Sequence, residues 1–219
     1  MKDLLRPTIR TIRWGGLIGS TFPAAFIVWH FHNQPDASSS AFGLRLAAAA
    51  LGLGLAFVLD DPTEESLGYT PVSVLTRRAV RVGLTLPPAI VFWLALRAYA
   101  AGGLVPPEQL PAWPFFLESL ALGAVALAGA AVASRFLSDR LGGPGGAGAV
   151  FLVTLAVALL PWANGLWTRT PGTKASDASS LWWWAIIGLA AFAWWRSSVT
   201  PGVLSWRVRG GRSSVSAHH

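Results

Sequence analysis

Six apolar stretches, each close to the roughly 20 residues a helix needs to cross the hydrocarbon of a bilayer, set the terms for this chain. They run over about 14–31, 41–59, 82–101, 115–137, 146–167 and 181–199, with charged, Pro-rich or Gly-rich connections between them. A water-soluble domain of 219 residues needs a polar coat of about 25% charged residues. Here only 12% are charged, 53% are hydrophobic, and the charges cluster between the apolar stretches. The expected fold is therefore all-α: a polytopic membrane helix bundle with six transmembrane helices in one domain over 1–206. Residues 207–219 read as a flexible tail, with His218-His219 as a tag remnant.

The basic residues orient the bundle. Lys2, Arg6, Arg10, Arg13, then Arg77, Arg78, Arg81, then Arg135, Arg140, then Arg196, Arg207, Arg209 and Arg212 fall on alternate connections, thirteen of the 17 in the chain. The opposite connections hold Arg169 and Lys174. By the positive-inside rule both termini are expected in the cytoplasm and the chain in the cell membrane as a multi-pass protein. Trp14, Trp29, Trp113, Trp162, Trp167, Trp182-Trp183-Trp184 and Trp194-Trp195 lie near the ends of the stretches, where indole suits the headgroup layer. The net charge of +7 fits the same picture through anionic lipid. No basic-aromatic face or nucleic-acid motif accompanies it, so no nucleic-acid partner is expected. With no cysteine, thiolate chemistry and disulfides are excluded.

Two constellations carry possible function. On the cytoplasmic side, 59–84 reads LDDPTEESLGYTPVSVLTRRAVRVGL. Asp60, Asp61, Glu64 and Glu65 come first. Thr70 as N-cap and Pro71 as first helical residue then open a short amphipathic helix, with Val72, Leu75, Ala79 and Val80 opposite Arg77, Arg78 and Arg81. One reading is an interfacial anchor with the arginines on lipid phosphates. The other is a docking element for a cytoplasmic partner, because four carboxylates beside an anionic surface need solvation or basic partners.

The second constellation is intramembrane. Arg45, Arg97 and Glu118 each lie three or four residues inside the outer end of a stretch, and so share a depth at about 1.5 Å per residue. Buried ionisable groups of this kind mark function or a structural pair. The alternatives are snorkelling arginines, an Arg97–Glu118 pair, a contact with an anionic headgroup or substrate, and a proton-coupled Glu118. His30 and His32 could ligate a metal but lack a third ligand, so no metal site is expected. The small residues of 121–133 are expected to pack closely on another helix or subunit. The run LGGPGG over 141–146 reads as a flexible cytoplasmic turn. The loop 102–114, with four prolines, reads as a stiff, extended path.

The combination Leu59-Asp60-Asp61-Pro62, Pro71, Arg77-Arg78 and Leu86-Pro87-Pro88, about 30 residues in all, resembles small actinobacterial membrane proteins found as permease subunits of ABC transporters. The resemblance implies a permease half that pairs with a second permease subunit or with itself, and with a cytoplasmic ATPase carrying the ATP and Mg. Residues 62–81 are then the element that meets that ATPase. The chain has no G-x-x-x-x-G-K-[ST] loop, so it is not expected to be an enzyme or to hold a cofactor of its own. Two other functions compete: a non-catalytic assembly or regulatory subunit of a larger membrane complex, and a lipid- or isoprenoid-acting enzyme using the Asp60-Asp61/Glu64-Glu65 cluster.

Overall fold

The computed structural model describes residues 12, 14–60, 73–136, 142–159 and 174–199, the last stretch with side chains from 180 onward. Among them every regular element is helical. The helices are α1 (Trp14–His32), α2 (Ala37–Ala56), α3 (Val74–Ala101), α4 (Ala112–Phe136), α5 (Gly143–Leu159) and α6 (Lys174–Val199), with 3₁₀ turns at Phe57–Leu59 and Pro107–Gln109. We call the end of the bundle with the 33–36 and 102–111 connections the upper end, and the end with Leu59, Val74 and Gly143 the lower end.

Three helical segments are long and apolar enough to cross a membrane: Ala37–Leu59, Val74–Ala101 and Ala112–Phe136. Large apolar side chains cover the exterior as well as the core. Phe22, Phe26, Val91, Phe151, Leu181, Leu189 and Phe192 are all exposed. So contiguous an apolar surface is stable against lipid, not water.

The centre is α2 beside α4. In their most apolar windows α2 is 67% buried and α4 61%, whereas α3 is only 28% buried. α1 packs on α2, α5 on α2 and α4, and α6 on α4. α3 packs on α1, α2 and α6. It therefore stands at the rim of the bundle.

Several boundaries differ from the sequence expectations. α2 begins four residues before the expected start at 41, because Asp36 accepts hydrogen bonds from the Ser38 and Ser39 amides at 3.2 and 3.1 Å. Those amides would otherwise have no partner at the helix start. The short helix expected before the third span is instead the first part of one 28-residue helix, α3, capped by Ser73 through the Thr76 amide. The expected cap, Thr70-Pro71, lies outside the described residues. The 102–114 loop is not an extended rod: it turns at Pro107–Gln109 and seats Val105 and Leu110 in the main core cluster. Pro114 is tolerated in the first turn of α4, where a backbone N–H would have no helical acceptor.

The glycine run is the largest difference. Residues from Gly143 onward form the first turn of α5. A Cβ at Gly146 would sit 2.4 Å from the Ala126 carbonyl oxygen of α4, so only glycine allows this approach. The small-residue face of α4 thus meets α5 within the same chain. At the same turn, the Gly143 amide donates to Asp60 Oδ1 at 2.7 Å. A carboxylate at a helix N-terminus satisfies a free amide and complements the helix dipole. This fixed contact replaces the flexible turn.

Candidate functional site

α2 and α4 run in the same direction side by side, which brings Arg45 to Glu118. Arg45 Nε donates to Oε2 at 2.9 Å and Nη2 to Oε1 at 3.4 Å. The Glu118 side chain is 2% exposed and that of Arg45 15%. The Arg45 guanidinium also lies over the Phe115 ring, 5.1 Å from its centroid. Two-point pairing is what makes such a pair sustainable away from water, since desolvation opposes it by several kcal/mol per ion.

Arg97 belongs to a different contact. Its Nη2 donates to the Leu110 carbonyl at 2.8 Å, which fastens the upper end of α3 to the 102–111 connection. The structure thus brings together two of the three residues expected at one depth. Glu118 pairs with Arg45, not with Arg97, because α4 sits beside α2 while α3 stands off at the rim. His32 stacks on Tyr99 with ring centroids 4.2 Å apart, and His30 meets Phe31 edge-on. Among the described residues no group of three or more potential ligands converges on a metal position.

Beside and below the ion pair lies a cavity of about 170 Å³ between α2, α3 and α4, with Ile187 of α6 also in its wall, partly open to the outside. Leu51, Leu86, Trp93, Phe116, Gly123 and Leu127 are among its walls. α3 forms one wall, and its Ala89 also packs on Leu17, Leu55 and Val58 of the neighbouring elements. At the upper end Trp93 touches Phe116, with ring centroids 5.9 Å apart. At the lower end Arg78 donates to Ser134 Oγ of α4 at 2.7 Å and to Ser198 Oγ of α6 at 3.3 Å. Pro87 and Pro88, in the stretch between, remove two amides from the helical ladder.

Two polar side chains line the cavity. Ser119 donates back to the Phe115 carbonyl at 2.7 Å. Trp93 is 3% exposed, and its Nε1–H has no acceptor among the described residues. The role of Trp93 was not read from the sequence. Its position eight residues inside the end of α3 was the available signal, since an interfacial Trp sits nearer a helix end. Trp183, grouped above with the interfacial indoles, is in fact 1% exposed and packs on Leu117 and Ala121 of α4.

The residues expected to dock a partner divide into groups. Asp60 is 1% exposed and caps α5. Arg81 is 4% exposed and donates to the Asp60 carbonyl at 3.3 Å. Arg78 bridges α4 and α6 as described. These three tie helices together inside the bundle. Arg77 is half-buried, and its Nε and Nη1 have no acceptor among the described residues. Asp61, Glu64 and Glu65 lie outside the described residues.

Comparisons with protein-family models, with curated proteins and with solved structures find no match to this chain.

Proposed function

We propose that the chain is a membrane-spanning permease subunit of an ATP-driven transporter, with six spans, both termini cytoplasmic, and ATP hydrolysis carried out by a separate subunit. The observation that carries this reading is the cavity beside the buried Arg45–Glu118 pair, walled on one side by the rim helix α3. Pro87 and Pro88 interrupt the helical ladder in the stretch of α3 that walls the cavity, which suits α3 to bend there when its lower end is pushed. Ionisable groups at such depth favour a functional bundle over an inert anchor. The basic residues at the lower end of α3 and the positive-inside pattern support a cytoplasmic partner at that end. In this reading Asp61, Glu64, Glu65 and Arg77 meet the ATPase, while Asp60, Arg78 and Arg81 transmit the push into the bundle.

The apolar lining of the cavity favours a second reading, a non-catalytic assembly subunit, since no polar route for a solute is evident among the described residues. The enzyme reading draws no support from Asp60, whose Oδ1 accepts the Gly143 amide as a helix cap.

Affinity capture of the chain from detergent-solubilised membranes, followed by mass spectrometry, separates these. The permease reading expects a stoichiometric ATPase with a phosphate loop, and weaker recovery of it with Arg77→Glu. Recovery of other membrane subunits without any ATPase would support the assembly role.

A further inference from the structure

We propose that α3 is a hinged wall: bending at 83–88 swings the middle of the helix toward α4 and closes the cavity between them. The chain then alternates between the open arrangement of this structure and a closed one in which Leu86 and Ile90 of α3 fill that space. The inference deepens the permease reading and rests on it only for the force that drives the bend; the hinge itself belongs to the isolated chain.

Several features that weaken a helix fall within 83–88 of α3. Gly83 is a poor helix former, and no neighbouring atom lies within 4 Å of where its Cβ would be. Thr85 turns its hydroxyl back onto its own helix, donating to the Arg81 carbonyl at 2.9 Å, a pattern that bends helices. Pro87 and Pro88 offer no amide to the Gly83 and Leu84 carbonyls, and their rings crowd those same carbonyls. Sharp kinks in helices concentrate at residues of this kind.

Packing sets the direction of the bend. On one side α3 rests on α1 and α2, with Ala89 among Leu17, Leu55 and Val58, and this methyl contact serves as the pivot. On the other side Leu86 and Ile90 share the cavity wall with Gly123, Ala124 and Leu127 of α4. The small residues there, with Gly52 of α2, let large side chains come close. Closure gives the walls dispersion contacts that a gap forfeits. It also strands no hydroxyl, since Ser119 already donates to the Phe115 carbonyl.

The amplitude follows from the helix length. The prolines divide the 28 residues of α3 into two equal arms, each about 20 Å long at 1.5 Å per residue. A further kink of about 20° carries the middle roughly 3 Å toward α4, while the ends approach by less than about 1 Å. The hydrogen bonds of Arg78 to Ser134 and of Arg97 to Leu110, near the two ends, stay in place through a movement so distributed.

The test measures distances between two spin labels on the full chain in phosphatidylglycerol vesicles. The sequence has no cysteine, so Val91→Cys on α3 and Phe151→Cys on α5, both exposed, take the labels cleanly. They lie on helices that flank the central pair α2 and α4. The distribution is expected to contain a second population, shorter by roughly 3 Å. Gly123→Leu fills the space, since its Cβ meets only the flexible Leu55 tip, at 3.4 Å. It should remove the short population, and the milder Gly123→Ala should reduce it. Pro87→Ala with Pro88→Ala restores both amides and should leave one narrow population. Labels at Phe151→Cys and Leu189→Cys, on α5 and α6, should report the same distance throughout. A single unchanged population in every variant overturns the closure. A short population that survives the alanine pair overturns the hinge, and a moving α5–α6 distance overturns the assignment of the change to α3. Bending in a chain that captures no ATPase would leave the hinge standing and remove the permease reading. A rigid α3 in a chain that does capture one would remove the hinge alone.

Discussion

Arg45 and Glu118, separated by 73 positions in sequence, meet at 2.9 Å across the interface of α2 and α4. The pair ties the two central helices at one height. Removing one partner leaves a charge stranded away from water. Glu118→Gln should therefore lower the stability of the detergent-solubilised protein by about 3–5 kcal/mol, the usual effect of breaking a buried pair. The double change Arg45→Met with Glu118→Leu removes both charges and should restore most of the loss. Thermal unfolding followed by size-exclusion chromatography checks both. Wild-type melting of Glu118→Gln would show that the pair holds nothing together.

Asp60 provides a second long-range tie, from the end of α2 to the start of α5. Asp60→Ala should cost about 1–2 kcal/mol, as expected for the loss of a buried helix cap. Asp60→Asn keeps an acceptor oxygen and should cost less. Hydrogen exchange should show the first turn of α5 opening in Asp60→Ala. If the exchange of 143–147 is unchanged, the cap is not what orders that turn.

Gly146 and Gly148, both on α5, make a matched control for the α4–α5 contact, one crowded by α4 and the other open. Gly146→Ala places a Cβ against the Ala126 carbonyl and should destabilise by about 1–3 kcal/mol, the usual range for overpacking. Gly148→Ala has open space around its Cβ and should stabilise slightly, since alanine favours a helix by about 1 kcal/mol over glycine. Equal effects in a melting comparison would mean that α5 does not approach α4 this closely.

At the upper connection, hydrogen bonds from the Ser38 side chain and amide, then from Ser39, hold the Asp36 carboxyl below its ordinary value of 3.8. A lowered folded-state pKa means that the contribution of the cap is complete above the unfolded value and is lost as pH falls through the folded one. Wild type should therefore lose helix-start protection at Ser38 and Ser39 only in acid below 3.8. Asp36→Ala should lack that protection already at neutral pH. Amide exchange measured across this range reads the difference; identical pH profiles would exclude Asp36 as the cap.

The apolar stretches made the helices legible, and counting residues from their ends put Arg45 and Glu118 at one depth. Depth does not say which helices are neighbours. Arg97 shares the level, yet α3 stands at the rim, and its guanidinium turns to Leu110. Local composition misled where tertiary contacts decide. Gly143 and Gly146 look like a loop because glycine disfavours helix, but Asp60 and the close face of α4 make the helix favourable there. The run Ser38-Ser39-Ser40 reads as a loop until Asp36 is recognised as its cap. The cavity was illegible because its walls come from separate helices, α2, α3, α4 and Ile187 of α6, and no local pattern says which of these are neighbours.

The central claim, a membrane subunit that works with a separate ATPase, is tested most directly by ATP hydrolysis in proteoliposomes made from the affinity-captured material. Hydrolysis should copurify with the chain, and Arg77→Glu should lower it while leaving the melting temperature of the chain unchanged. Captured chain that is folded and monodisperse but carries no ATP hydrolysis would contradict the account.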